Sequence, residues 1–236
     1  MMFKNRAEAA HLLAQKLAKY QGQRPLVLAI PRGAVPMGRI IADCLGGELD
    51  VVLVRKLGAP GEPELAVGAV DETGAVTLNE YARGLGVSDA YVEAERQTQL
   101  AALRQRRDAY VEAARQTQLA ALRQRRAGYT PLRPPIDPRG RAVIVVDNGI
   151  ATGATMIAAL RALHAKEPAR LIAAAAVVPA ETLRKIAAEA DETVWLEAPI
   201  RFFAVGAFFE DFSQVSDEEV AAILLEGSPR KRAVGE

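Results

Sequence analysis

The sequence predicts an α/β fold built on a doubly wound parallel sheet. Three observations carry that expectation. Short apolar runs alternate with stretches of helical periodicity along most of the chain. The runs are unbroken rather than alternating, as strands covered on both faces require. Residues 25–56 read as strand–helix–strand with short connections, the unit from which parallel sheets grow.

Each element has its own reason. Residues 4–20 pattern as an amphipathic helix, with Ala9, Leu12, Leu13, Leu17 and Tyr20 on one face. PLVLAI (25–30) is a strand bounded by Arg24 and by Pro31-Arg32-Gly33. Val35 to Leu45 is a helix stopped by Gly46-Gly47. LDVVLVRK (49–56) is the next strand, and LGAPGEPE (57–64) has the composition of a loop. Two short strands around Asp71-Glu72-Thr73-Gly74 suggest a hairpin. A long helical stretch runs from Ser88 to about Ala127, and the Pro-rich YTPLRPPIDPRG after it is a linker. Strands at 141–147, 170–178 and 193–198 alternate with helices at 153–166 and 180–190. A last helix, 216–226, carries Ser216 as its cap and Glu219 at the capping-box position. We read one domain, 1–236, with a core of about 22–200. The long helix 88–127 is an insertion, and a small hood is expected from the N-terminal helix and 199–236.

The long helix contains a tandem repeat. DAYVEAERQTQLAALRQRR (89–107) is followed at once by DAYVEAARQTQLAALRQRR (108–126), and only Glu95 against Ala114 differs. Two copies make no solenoid, so a duplication, natural or constructed, is the simpler reading. Nineteen residues turn a helix by about five turns plus 100°, so a continuous helix would swing the second copy's face away from the first. No Gly or Pro interrupts Arg107-Asp108, which favours one helix; a hairpin capped by Asp108 is the competing form. No chemistry is assigned to this segment.

Composition excludes several classes. A net charge of +1 leaves no bulk field for nucleic acid. One cysteine excludes an internal disulfide, and two isolated histidines argue against zinc. The N-terminus lacks a signal-peptide core, and no apolar run is long enough to span a bilayer, so a soluble cytoplasmic protein without membrane partners is expected.

The chemistry concentrates in VDNGIATGAT (146–155), which follows a strand and opens a helix. Such a loop aims backbone N–H groups and a helix N-terminus at one point, an anion site that phosphate commonly fills. Gly149, Ile150, Ala151, Thr152, Gly153, Ala154 and Thr155 would form the cradle, the two threonines adding hydroxyls. The polar Asp147-Asn148 pair can reach sugar hydroxyls beside it. No Lys follows in the GxxxxGK[ST] arrangement, so this is no NTPase loop.

This stretch resembles the phosphoribosyl pyrophosphate (PRPP) signature of type I phosphoribosyltransferases. Two further segments are similar to that family: Ile30-Pro31-Arg32-Gly33 after the first strand and Arg55-Lys56 after the second. The PRG, VRKLGAPGEPELAVGAV and VDNGIATGATM segments look like those of uncharacterised bacterial members. The resemblance implies phosphoribosyl transfer from PRPP to a nucleobase-like acceptor, with Mg²⁺ carried by PRPP rather than by protein ligands. It implies pyrophosphate binding by Arg32, Gly33, Arg55 and Lys56, and catalysis at Asp147, Asn148 and Lys56. It further implies a homodimer, and a lid formed by Glu62 to Val70. RFFAVGAFFED (201–211) resembles the base-binding segment of hypoxanthine-guanine enzymes, implying Phe203 and Asp211 at the base.

The departures matter as much. The family pattern has two acids where this chain has Asp147 and Asn148; the amide keeps an acceptor but loses the charge. Ala151 stands where 6-oxopurine enzymes carry an aspartate, which argues against hypoxanthine or guanine. Gly206 to Asp211 is one residue longer than in those enzymes. A PRPP-binding regulator and a phosphoribosyl hydrolase are the alternative readings.

Overall fold

The computed structural model describes residues 2–59, 62–71, 74–78, 87–124 and 136–226. In chain order the elements are α1 (Arg6–Lys16), β1 (Leu26–Ala29), α2 (Val35–Leu45), β2 (Glu48–Val51), β3 (Val54–Ala59), β4 (Glu62–Asp71) and β5 (Val76–Leu78). Then follow α3 (Asp89–Gln124), β6 (Ala142–Gly149), α4 (Ala154–His164), β7 (Arg170–Val177), α5 (Ala180–Ala187), β8 (Glu192–Glu197) and α6 (Asp217–Glu226).

Five strands make a parallel sheet in the order β2-β1-β6-β7-β8. Successive side chains of a strand point to opposite faces, and the core divides accordingly. Val27, Ala29, Ile144 and Val146 join one cluster with Leu13 and Leu17 of the N-terminal segment and Ile41 of α2. Leu26, Leu28, Val143 and Val145 join the other with Leu160 of α4 and Ile186 of α5. Helices thus cover both faces, as the unbroken apolar runs predict. The strand order reverses between β1 and β6, and an open α/β sheet leaves its crevice outside the carboxyl ends of the two strands at that reversal.

Two expectations change. The stretch 49–56 is not one strand: β2 ends at Val51, and β3 begins a separate antiparallel sheet, β3-β4-β5. The change falls within Val51-Val52-Leu53-Val54, four apolar residues that carry no mark of where one sheet hands the chain to the next. Residues 57–64 are not simply loop, since Leu57 to Ala59 continue β3 and Glu62 begins β4. Pro63 is tolerated because β5 pairs only with Gly68 to Val70, so the start of β4 is bonded on one side alone. The segment expected as a lid, Glu62 to Val70, lies within β4. The N-terminal helix α1 packs on α2, β7 and β8 through its buried Ala9, Ala10, Leu13 and Ala14, and just ahead of it Phe3 exchanges backbone hydrogen bonds with Phe208 and Glu210. That small-residue face lets it lie close to the sheet layer.

The duplicated segment forms one continuous helix through the Arg107-Asp108 join, not a hairpin. Its 36 residues span about 54 Å at 1.5 Å per residue. Ser88 caps it, Oγ accepting from the N–H of Tyr91 at 3.2 Å. Its first copy is fixed to the second sheet: the Tyr91 hydroxyl donates to the Gly58 carbonyl at 3.0 Å, and Leu100 and Leu103 are buried. The helix also packs against α6. Residues 125–127, the expected end of the helix, lie outside the described residues.

Candidate active site

A cavity of about 590 Å³ opens at the carboxyl ends of β1 and β6. On its strand side stand Ile30, Pro31, Gly33, Asp147, Asn148 and Thr155. Register joins these segments: Ala29 pairs with Val146, and the Ile30 N–H donates to the Val146 carbonyl at 2.9 Å. The turn after β1 contains a cis peptide at Pro31-Arg32. Its next residue, Gly33, lies against the Asn148 amide; a Cβ there would come within 3.0 Å of Asn148 Nδ2. A side chain at 33 would press on the Asn148 amide, so glycine there eases the close approach of the first turn to the end of β6. Two of the segments that resemble PRPP-binding loops are in direct contact.

Asp147 keeps part of its side chain open to the cavity, though protein atoms crowd it. Desolvation pushes its carboxyl up to about 7, against the opposing pull of hydrogen bonds from the N–H groups of Gly149 and Asn148. A carboxylic acid poised there holds or releases a proton near neutrality.

The expected phosphate loop is more differentiated than its sequence. Gly149 is the last residue of β6, and a Cβ there would meet Val205 Cγ1 at 2.4 Å, so its smallness serves the returning C-terminal segment. Ile150 turns its side chain into the core and donates its N–H to the Val177 carbonyl at 2.8 Å. It supports the loop from beneath rather than facing an anion. Ala151 and Thr152 are exposed, Gly153 takes the left-handed backbone (φ 85°) as the cap of α4, and Ala154 opens the helix. The Ala154 N–H lies 3.5 Å from Thr152 Oγ1.

Thr182 was not legible as a site residue. It is buried in α5, and its hydroxyl donates to the Ala151 carbonyl at 2.8 Å. Its Cγ2 would stand 2.9 Å from a Cβ at Gly153. Thus α5 clamps the loop from outside. Only its neighbour Pro179-Ala180, a helix start, offered any signal.

The opposite wall is formed by side chains. Arg55 reaches in from β3, and Glu95, Gln99, Leu103 and Arg106 line up along the first repeat copy. A segment expected to carry no chemistry is therefore a wall of the cavity. Lys56 lies in β3, paired in register with Ala69; its side chain is outside the described residues. Arg32 is exposed on the turn.

The base-binding expectation divides. Phe203 is 89% exposed, and Asp211 accepts from the Ser213 N–H at 3.1 Å. Phe212 reaches the cavity wall instead, its ring 5.0 Å from that of Phe209 and covered by the Arg6 guanidinium at 4.0 Å. Arg6 Nη1 also donates to the Ser213 carbonyl at 2.7 Å. Sequence could not reveal this pairing, because its partners lie more than 200 residues apart. Among the described residues no cluster of three His, Cys, Asp or Glu side chains is grouped as a metal site, and no helix is long and apolar enough to cross a membrane.

The family described as "Phosphoribosyl transferase domain" matches residues 3–207. Two curated Mycobacterium tuberculosis proteins, from the CDC 1551 and H37Rv strains, each described as "Putative phosphoribosyl transferase", are 38% identical over 224 residues. The match covers 94% of this chain and 46% of theirs, so the chain spans about half the length of these relatives. The crystal structure of TT1426 from Thermus thermophilus superposes with a TM-score of 0.81 at 43% identity, covering 96% of this chain and 99% of that one.

Proposed function

The chain belongs to the phosphoribosyl transferase family, and on that premise we propose that it transfers a phosphoribosyl group from PRPP to a nitrogenous acceptor. The observation that carries this reading is the contact of Gly33 with Asn148 at the switch point. It joins the turn read as a pyrophosphate loop to the strand end read as a ribose site.

In this reading the 5-phosphate is held by N–H groups of the loop 151–155 and by the hydroxyls of Thr152 and Thr155. Asp147 and Asn148 accept from the ribose hydroxyls, while Gly33, Arg32, Arg55 and Lys56 meet the pyrophosphate. The C1–oxygen bond breaks and pyrophosphate leaves with the electron pair. The acceptor nitrogen bonds to C1 and then loses its proton to solvent. Asp147, as carboxylate, stabilises the positive charge that develops on the ring. Mg²⁺ would supply charge neutralisation on the departing oxygens, held by the hard oxygen donors of PRPP itself rather than by protein ligands. Ala151 lacks a carboxylate for a 6-oxopurine, so a different base is expected, and Phe203 and Asp211 remain the family-derived base contacts. A homodimer and a cytoplasmic setting complete the proposal.

The amide at 148 gives a second reading its footing: a regulator that binds PRPP without turning it over. Incubating the protein with PRPP, Mg²⁺ and a panel of nucleobases while following pyrophosphate separates the readings. Release that needs a base supports the transferase; release without one indicates a hydrolase; binding without release indicates the regulator. Asn148→Asp should raise kcat, and an unchanged kcat would show that the lost charge is irrelevant.

A further inference from the structure

The repeat's one internal difference falls on the cavity wall. Glu95 lines the cavity, whereas its counterpart, Ala114, is 19 residues farther along α3, about 28 Å away along the axis and turned by about 100°. Glu95 is also bonded. Its Oε1 accepts from Gln99 Nε2 at 2.9 Å, and Gln99 Oε1 accepts from Arg55 Nε at 3.2 Å. The polarity of this chain is fixed by chemistry. A carboxylate only accepts and a guanidinium only donates, so Gln99 must turn its NH₂ to Glu95 and its carbonyl to Arg55. With Nε engaged, the remaining four N–H donors of Arg55 lie on its two Nη atoms. The spacing 95/99 is one helical turn, so a continuous α3 holds both links on one face.

The geometry points to Glu95 and Gln99 as positioning residues for Arg55: a two-step relay, present in one repeat copy only, that orients the guanidinium edge in the cavity. The inference rests on the reading of Arg55 as a pyrophosphate ligand. Removing a carboxylate beside an anion site should, by Coulomb's law alone, tighten the binding of an anion. A positioning role makes the opposite prediction, so the sign of the effect decides between them.

The test combines ligand titration with crystallography on the full chain. Glu95→Ala should weaken Mg–PRPP binding about fivefold, the size of one ordinary hydrogen bond, and leave ribose 5-phosphate binding unchanged. Glu95→Gln, which keeps an acceptor and drops the charge, should restore wild-type affinity. In an Arg55→Ala background, Glu95→Ala should have no further effect. Ala114→Glu should change nothing. In ligand-free crystals, the Arg55–Gln99 hydrogen bond should persist in wild type and be lost in Glu95→Ala. Tighter or unchanged PRPP binding in Glu95→Ala, equal weakening toward ribose 5-phosphate, or an effect that survives in Arg55→Ala overturns the relay. If the wild-type protein ignores PRPP, the proposed function fails, and the crystal comparison alone decides: a bond retained in Glu95→Ala overturns the positioning role, and a bond lost upholds it.

Discussion

The two walls of the cavity are built on different principles. The strand wall, from Ile30 to Gly33 and from Asp147 to Thr155, is set by backbone: parallel register, a turn closed on Asn148, and a loop tied to Val177 and Thr182. The helix wall, from Arg55 to Arg106, is set by long side chains reaching from β3 and α3. Backbone walls hold their shape because many hydrogen bonds would have to yield together. Side-chain walls depend on single contacts and are the easier place to vary affinity or specificity.

The strand wall should therefore respond to substitution with large effects and the helix wall with small ones. The largest is expected at Asp147→Asn, which should lower kcat on the order of 100-fold if its charge stabilises the transition state; steady-state kinetics with PRPP and the acceptor would check it, and a fall under about threefold would move catalysis elsewhere. Next comes Gly149→Ala. Its new methyl would meet Val205 Cγ1 at 2.4 Å, so denaturant melts should show a loss of about 1–3 kcal/mol. Val205→Ala in the same chain should recover most of that loss, and no recovery would mean the strain lies in the strand itself.

Thr182→Val should cost about 1 kcal/mol and weaken PRPP binding by freeing the Ala151 carbonyl. Unchanged affinity would show that the loop holds its shape without α5. A pH dependence is the remaining expectation. The Asp147 carboxyl sits at about 7 in the fold, against about 3.9 in an unfolded chain. Because the folded value is raised, its contribution to stability is fully present below about pH 4 and is lost as pH rises through about 7. The melting temperature of wild type relative to Asp147→Asn should fall across that window, and a flat difference would contradict the raised value. PRPP affinity should change in the other direction, rising as Asp147 ionises.

Much of the strand wall was written in the sequence. Apolar runs ending in PRG and DNGIATGAT mark strand ends, and parallel sheets gather such ends at one edge because every strand points the same way. The continuous helix followed from a join without Gly or Pro, and Ser216 as a cap from its position before Asp217, its Oγ accepting from the Glu219 N–H at 3.1 Å. These are local signals, carried by a few neighbouring residues.

The tertiary structure decided what depends on partners distant in the chain. It divided 49–56 between two sheets, a choice that the apolar residues 51–54 at the junction do not encode. It sent Ile150 into the core and made Gly149 a seat for Val205, though both belong to a stretch that reads as one cradle. It brought Arg6 onto Phe212 while leaving Phe203 in solvent, and it set one repeat copy against the cavity while its near-identical twin continues along the axis. The physical reason is the same in each case: periodicity and turn chemistry fix which way a segment folds, but which face meets which neighbour depends on packing that no single segment contains.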